Sequence, residues 1–207
     1  SCVQCVIDAD ILPLLLHQLY HDDIYVRSCT CAIVANILAG SNAQIRAVLR
    51  VDQTSAAVSI GRFIPKFLGL ISIPTEAPKL EAECYRTPGE PDEPDWRELS
   101  VVRLEAAWAL ANFSGASYEA RCALLDEDGI AMLGPALLGA AETATSWLQP
   151  VPPKRLPGHE EVDTARETLE PLLIAIENTL RGKVERDSIN QEAARRKRPK
   201  SALTVGG

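Results

Sequence analysis

The sequence predicts an all-α protein whose helices repeat and stack into a superhelical solenoid. Three observations carry this prediction. Apolar residues recur at helical spacing along most of the chain, and no segment alternates as a strand would. Ala and Leu are abundant while aromatic residues make up 5% of the 207 residues, a composition biased towards helix. The chain also resembles itself. With Asn36 set on Asn112, Val26-Arg27 falls on Val102-Arg103, Ala35 on Ala111, Ser41 on Ser117, and Ala47 and Leu49 on Ala123 and Leu125. These identities fall at the start, core and end of one helix and in the helix after it, and a third copy follows where LLIAIENTLRG (172–182) puts Asn178 in the same place.

Taken in order, each unit reads as a short helix, an apolar helix of about three turns and a longer helix that ends in Asn and small residues. The apolar helices are ILPLLLHQL (11–19), FIPKFLGLI (63–71) and GIAMLGPALLG (129–139). Pro13 and Pro65 match in the first turn, where a helix has no N–H bond to lose, and Met132 takes that position in the third version. Pro135 lies further in, so that helix reads as bent or short. The longer helices end near Asn36, Asn112 and Asn178, which gives repeats at about 1–41, 42–116 and 117–181. The spacing exceeds the usual 40–47 residues of such repeats, and two insertions account for it. Residues 73–99 hold five prolines and eight acidic residues and read as an acidic Pro-rich loop without a core. Residues 141–161 include QPVPPKRLPGHEE, a second Pro-rich loop. Both fall in the same connection of consecutive units, so both are expected on one edge of the stack. After Gly182 the pattern decays, and 182–207 reads as frayed helix followed by a disordered, charged tail.

The net charge is −7, unevenly distributed. Residues 191–207 hold Arg195, Arg196, Lys197, Arg198 and Lys200 against Glu192, a net +4, so residues 1–190 carry −11. An acidic body favours cationic partners and disfavours nucleic acid phosphate. No apolar run approaches the roughly 20 residues of a membrane span. Six cysteines (Cys2, Cys5, Cys29, Cys31, Cys84 and Cys122) sit largely in or beside apolar helical segments as reduced thiols do, which points to the cytoplasm or nucleus. The first residue is Ser1, so the stretch reads as a fragment.

A stack of three-helix units of this size resembles the armadillo repeat over roughly residues 1–181. VRLEAAWALANFSGAS, followed by RCALLDEDGIAMLGPALL, is similar to the importin-alpha group in particular. The resemblance implies a right-handed superhelix whose third helices line a concave groove, where Trp-x-x-x-Asn pairs hold an extended, lysine-rich nuclear localisation signal. Carried onto this chain, it makes Trp108, Asn112, Asn36 and Asn178 the candidate peptide-binding residues. Trp108 and Asn112 form the one full pair, because Ala32 and Ile174 stand where the other tryptophans would be.

That motif has its own chemistry. Positions i and i+4 share a helical face. A carboxamide both donates and accepts, so it can pair with an N–H and a C=O of an extended peptide. An indole one turn earlier offers a wall for a lysine stem, with a cation–π attraction of about 0.5–2 kcal/mol. The expected partners are therefore cargo proteins bearing basic signals, with any importin-beta contact in a segment outside this sequence. The alternative is an armadillo scaffold that binds a folded or non-basic protein and carries no cargo. The basic run Arg195, Arg196, Lys197, Arg198 and Lys200 could serve as a nuclear signal of its own, lie in a groove, or be a solvated tail.

Other motifs point to no chemistry. His17 and His21 stand at i, i+4 without the intervening Glu of a zinc protease, and read as surface histidines. CVQC (2–5) is a single C-x-x-C with no second pair. Cys29 and Cys31 read as core packing. Nothing resembles a phosphate-binding loop, a nucleophile elbow or a paired-carboxylate site. The expectation is a binding protein without enzymatic activity, metal or cofactor.

Overall fold

The computed structural model describes residues 2–53, 61–72, 96–145 and 159–197, and among them there is no strand. Nine helices are described. The first three are α1 (Cys2–Asp8), α2 (Leu12–Leu19) and α3 (Ile24–Leu38). Next come α4 (Asn42–Asp52), α5 (Phe63–Ile71) and α6 (Trp96–Ala116). The last three are α7 (Tyr118–Asp126), α8 (Gly129–Thr145) and α9 (His159–Lys197). Their contacts arrange these as three consecutive units. In the layer of third helices, α6 packs against both α3 and α9, and in the layer of second helices α5 packs against both α2 and α8. Among the first helices α1 meets α4. The second and third helices of each unit thus meet their counterparts in the next, which is how a solenoid buries a continuous core.

Local chemistry sets the boundaries. Asp23 caps α3 by accepting the Tyr25 N–H at 2.8 Å, and Ser41 and Gln44 form a capping box at the start of α4. Ser117 caps α7 by accepting from the Ala120 amide at 3.2 Å. A residue of positive φ turns the chain between the first and second helices of every unit: Asp10 (55°), Gly61 (120°) and Asp128 (55°). Aspartate tolerates the left-handed region and glycine enters it freely, so the same corner is made three times by different residues. At Gly61 the space is also taken, because an added Cβ would clash with the hydroxyl-bearing edge of Tyr20, 2.3 Å from its Cζ. The Tyr20 hydroxyl donates to the Arg62 carbonyl at 3.0 Å and accepts from its N–H at 3.1 Å, tying the end of α2 to the start of α5.

Leu16 and Leu19 of α2, Ile37 and Leu38 of α3, Phe63 and Phe67 of α5, Leu110 of α6, Leu124 of α7, Leu133 of α8 and Leu172 of α9 are all sealed in one core. The Phe63 and Phe67 rings lie 6.2 Å apart between centroids at an interplanar angle of 24°.

The helices depart from expectation in three places. The segment 182–197, expected to fray into a disordered tail, continues α9 to Lys197. It holds no Pro and is rich in good helix formers. It is also pinned laterally: Arg121 of α7 forms a forked pair with Glu185 at 2.8–3.1 Å, and Arg186 donates to Asp126 at 2.6 Å. Next, α8 is neither short nor ended by Pro135, which lies inside a helix of 17 residues. Pro135 and the i−4 residue Ala131 are both exposed, so the carbonyl released by the missing N–H meets water. Finally, helix occupies the margins of both expected loops, at 96–99 and at 141–145 and 159–161. The remainder of those loops, and residues 198–207, lie outside the described residues.

Candidate functional site

The third helices present an ordered set of faces to the solvent, and α6 is the central one. Around its axis, at 100° per residue, Ala106, Leu110 and Phe113 point to the core and are buried. Ala109 points towards α3, and Ala107, Ala111 and Ser114 point towards α9. All four are buried. Small residues on both flanks let the neighbouring helices approach closely. The remaining face carries Glu105, Trp108 and Asn112, each half-buried and within about 60° of one another.

Trp108 packs its apolar edge on the core. Its indole N–H makes no hydrogen bond among the described residues, yet it is not among the polar atoms sealed from solvent. Asn112 spends one of its functions internally, as Nδ2 donates to the Ala35 carbonyl of α3 at 3.1 Å. Its Oδ1 has no partner among the described residues. Glu105, one turn before Trp108, has neither an ion-pair nor a hydrogen-bond partner among the described residues, and burial raises its carboxyl above the ordinary range. That combination, a half-buried carboxylate lacking a cation beside an indole with an open acceptor one turn on, suits an ammonium or guanidinium group on an extended chain.

The other two candidate amides are placed differently. Asn36 is exposed, and its Nδ2 donates to Ala32 in its own helix at 2.8 Å. Asn178 is turned inward at 6% exposure. Its Nδ2 reaches the Ser114 hydroxyl at 3.4 Å, and its Oδ1 accepts from Arg181. Measured against its own register, Asn112 meets its neighbour helix one residue earlier, at Ala35, whereas Asn178 meets its neighbour two residues later, at Ser114. Sequence reasoning on the Trp–Asn pair omits Glu105, although i, i+3, i+7 spacing with Trp108 and Asn112 places it on the same face.

The matched pair Arg27 and Arg103 falls at the amino ends of α3 and α6. Arg27 donates to the carbonyls of His21 at 2.8 Å and Asp22 at 3.1 Å, bracing the turn into α3. Arg103 is buried, and desolvation lowers its pKa. Of the basic tail, Arg195, Arg196 and Lys197 form the last turn of α9, and Arg198 and Lys200 lie outside the described residues.

Cys31 is sealed between helices, and burial, with the nearby Glu105 charge adding, pushes its thiol up to about 12. Cys29, expected in the core, is exposed on α3, as is Cys5 on α1. His17 and His21 are both exposed, and His21 Nδ1 accepts the Asp23 N–H at 2.9 Å. Among the described residues no group of His, Cys, Asp or Glu is placed to hold a metal ion, and no helix is long and apolar enough to cross a membrane.

Comparison with known proteins gives little. No family model matches the chain, and no curated protein matches it. Among solved structures, a designed armadillo repeat protein aligns over 82% of this chain and 85% of that one, at 18% identity and a TM-score of 0.27. A likeness that remote carries no argument, and the all-α solenoid rests on the helix order and contacts described above.

Proposed function

We propose that the chain is a protein-binding adaptor of importin-alpha type. In this reading it takes basic nuclear localisation signals, laid out in extended conformation along the α3, α6 and α9 face, for nuclear import. It works between cytoplasm and nucleus by binding alone, with no catalysis, metal or cofactor. The observation that carries the reading is the accessible triad on α6. Glu105 would meet the charge of a lysine head, Trp108 would flank its stem, and the free Oδ1 of Asn112 would accept one peptide N–H. With Nδ2 committed to Ala35, Asn112 contributes one peptide bond where a free carboxamide could contribute two.

The test is fluorescence anisotropy of a labelled lysine-rich signal peptide against the whole chain at two salt concentrations. Trp108→Ala removes the wall and should weaken binding by about 2- to 30-fold, the range a cation–π contact spans. Glu105→Gln keeps shape and packing while removing the charge, and should weaken binding to a similar degree and reduce its salt dependence. Affinity unchanged in both variants, or binding that disappears with modest salt, would sink the proposal.

A second reading has its own support. Ala32 and Ile174 stand where further tryptophans would, and the Asn178 amide is turned into the stack. These features suit an armadillo scaffold whose surface receives a folded or non-basic partner. A peptide that fails to saturate the wild type would move the assignment there.

A further inference from the structure

We infer, on the adaptor reading above, that this stretch of the face reads one basic residue of an extended segment together with an apolar side chain two or three positions away. Further lysines add only non-specific attraction. Comparing the three third helices register by register leads to this. At the Trp108 position stand Ala32 of α3 and Ile174 of α9, and at the Glu105 position stand Cys29 and Pro171. Of the three helices, α6 alone sets an indole beside a carboxylate. A lysine laid on α3 would meet a methyl group and a thiol, and one laid on α9 a branched alkyl chain and a proline ring.

Charge on α9 is placed differently from Glu105. Glu167 and Glu170 are exposed, where water and salt screen a carboxylate. Glu105 is half-buried, so a cation that reaches it is partly desolvated and the attraction is stronger. One turn beyond Ile174, Arg181 donates to Asn178 Oδ1, and its guanidinium repels a second cation beside the α9 amide.

Ile174 suits an apolar group instead. Like Trp108 it is half-buried, but unlike Trp108 it does not pack on the core, so its side chain is available to a group arriving from outside. Spacing fixes where that group lies in the ligand. The third helices α6 and α9 pack side by side, and helices in contact lie about 8–10 Å apart. An extended chain advances about 3.3 Å per residue. A segment passing from Trp108 to Ile174 therefore crosses in two or three residues.

Fluorescence anisotropy of the whole chain with a small set of labelled peptides tests this at two salt concentrations. One peptide carries a lysine run, and one a single lysine among serines. The others add to the second a leucine two or three residues before or after the lysine. One of the leucine peptides should bind about 3- to 10-fold tighter than the serine peptide, as partial burial of a leucine side chain gives. That gain should persist at the higher salt, where the lysine run falls below the leucine peptide. Ile174→Ser should bring the leucine and serine peptides to equal affinity, with circular dichroism confirming the fold and Ile174→Ala standing in should the serine variant unfold. A lysine run that still binds tightest at the higher salt overturns the inference and leaves the adaptor reading intact. So does a leucine gain that is absent, or that survives in the Ile174 variant. Failure of every peptide to saturate the wild type overturns both.

Discussion

Asp52 offers a quantitative check on how the units are joined. It ends α4, yet its carboxylate serves the next helix, accepting the Phe63 N–H at 2.8 Å and the Ile64 N–H at 3.3 Å. The residue that flanks α5, Arg62, makes no side-chain cap of its own. Asp52→Ala would therefore leave two N–H groups of the first turn without an acceptor in a partly buried place. A lost N-cap destabilises by about 0.5–2 kcal/mol, and charge-assisted acceptors lie towards the upper end. Against this stands relief of a buried charge, since desolvation lifts the Asp52 pKa above 3.8 despite the two backbone bonds and Arg62. The net expectation is a loss of about 1–2 kcal/mol at neutral pH, read from urea titrations.

Asp52→Asn separates the two effects. It keeps an oxygen for the Phe63 N–H and never ionises. With a folded pKa above the unfolded value, the aspartate contributes most while protonated in both states, below pH 3.8, and that contribution is lost as pH rises through the folded value. The wild type should therefore lose ground to the Asn variant on going from about pH 4 to neutrality. An Ala variant as stable as wild type would remove the capping role. A gap between wild type and Asn that stays flat, or widens in favour of wild type with rising pH, would refute the burial argument.

Three further outcomes are expected. Gly61→Ala drives a Cβ against the phenol edge of Tyr20 at a φ of 120°, and should lower stability by about 1–3 kcal/mol in urea titrations, an effect the same substitution at open Gly69 should not share beyond the helix gain of Ala. Arg121→Ala removes the forked pair to Glu185, so amide exchange should quicken over 183–197 while 172–179 stays protected. Cys29 should react with a thiol reagent at neutral pH well before Cys31, whose thiol is buried and held near 12, and equal rates would contradict the packing of α3.

The fold was legible because its signals are local and repeated. Helical periodicity needs only a dozen residues to register, and Pro13 and Pro65 mark the first turns of α2 and α5 from within them. What escaped depends on partners far away in sequence. The length of α9 could not be read, because 182–197 has no apolar stripe to count and is held from 64 residues away by Arg121 and 60 residues away by Asp126. The left-handed corners at Asp10 and Asp128 carry no local mark, since Asp is equally at home in a cap or a loop. Glu105 stands within four residues of Trp108 and was available to spacing alone. Its lack of a cation is a property of the packed stack, which no window of sequence contains.

The recurrence of asparagine in the third helices takes on a different meaning once its surroundings are known. In the first unit the Asn36 amide folds back on its own backbone. In the second it bonds a carbonyl of the helix before it, and in the third it bonds a hydroxyl there. An amide that reaches the preceding third helix in both the second and the third unit does structural work at the seam, so its repetition there is accounted for without any ligand. The carboxylate of Glu105 has no such account. It is half-buried, raised by desolvation, and without a partner inside the chain. A buried charge without a counterion is destabilising unless something outside the fold supplies one. Asn112→Ala should therefore act first on stability, and Glu105→Gln first on affinity for a basic peptide while leaving stability unchanged or improved. If the two effects are reversed, the amide is the peptide reader and the carboxylate is incidental.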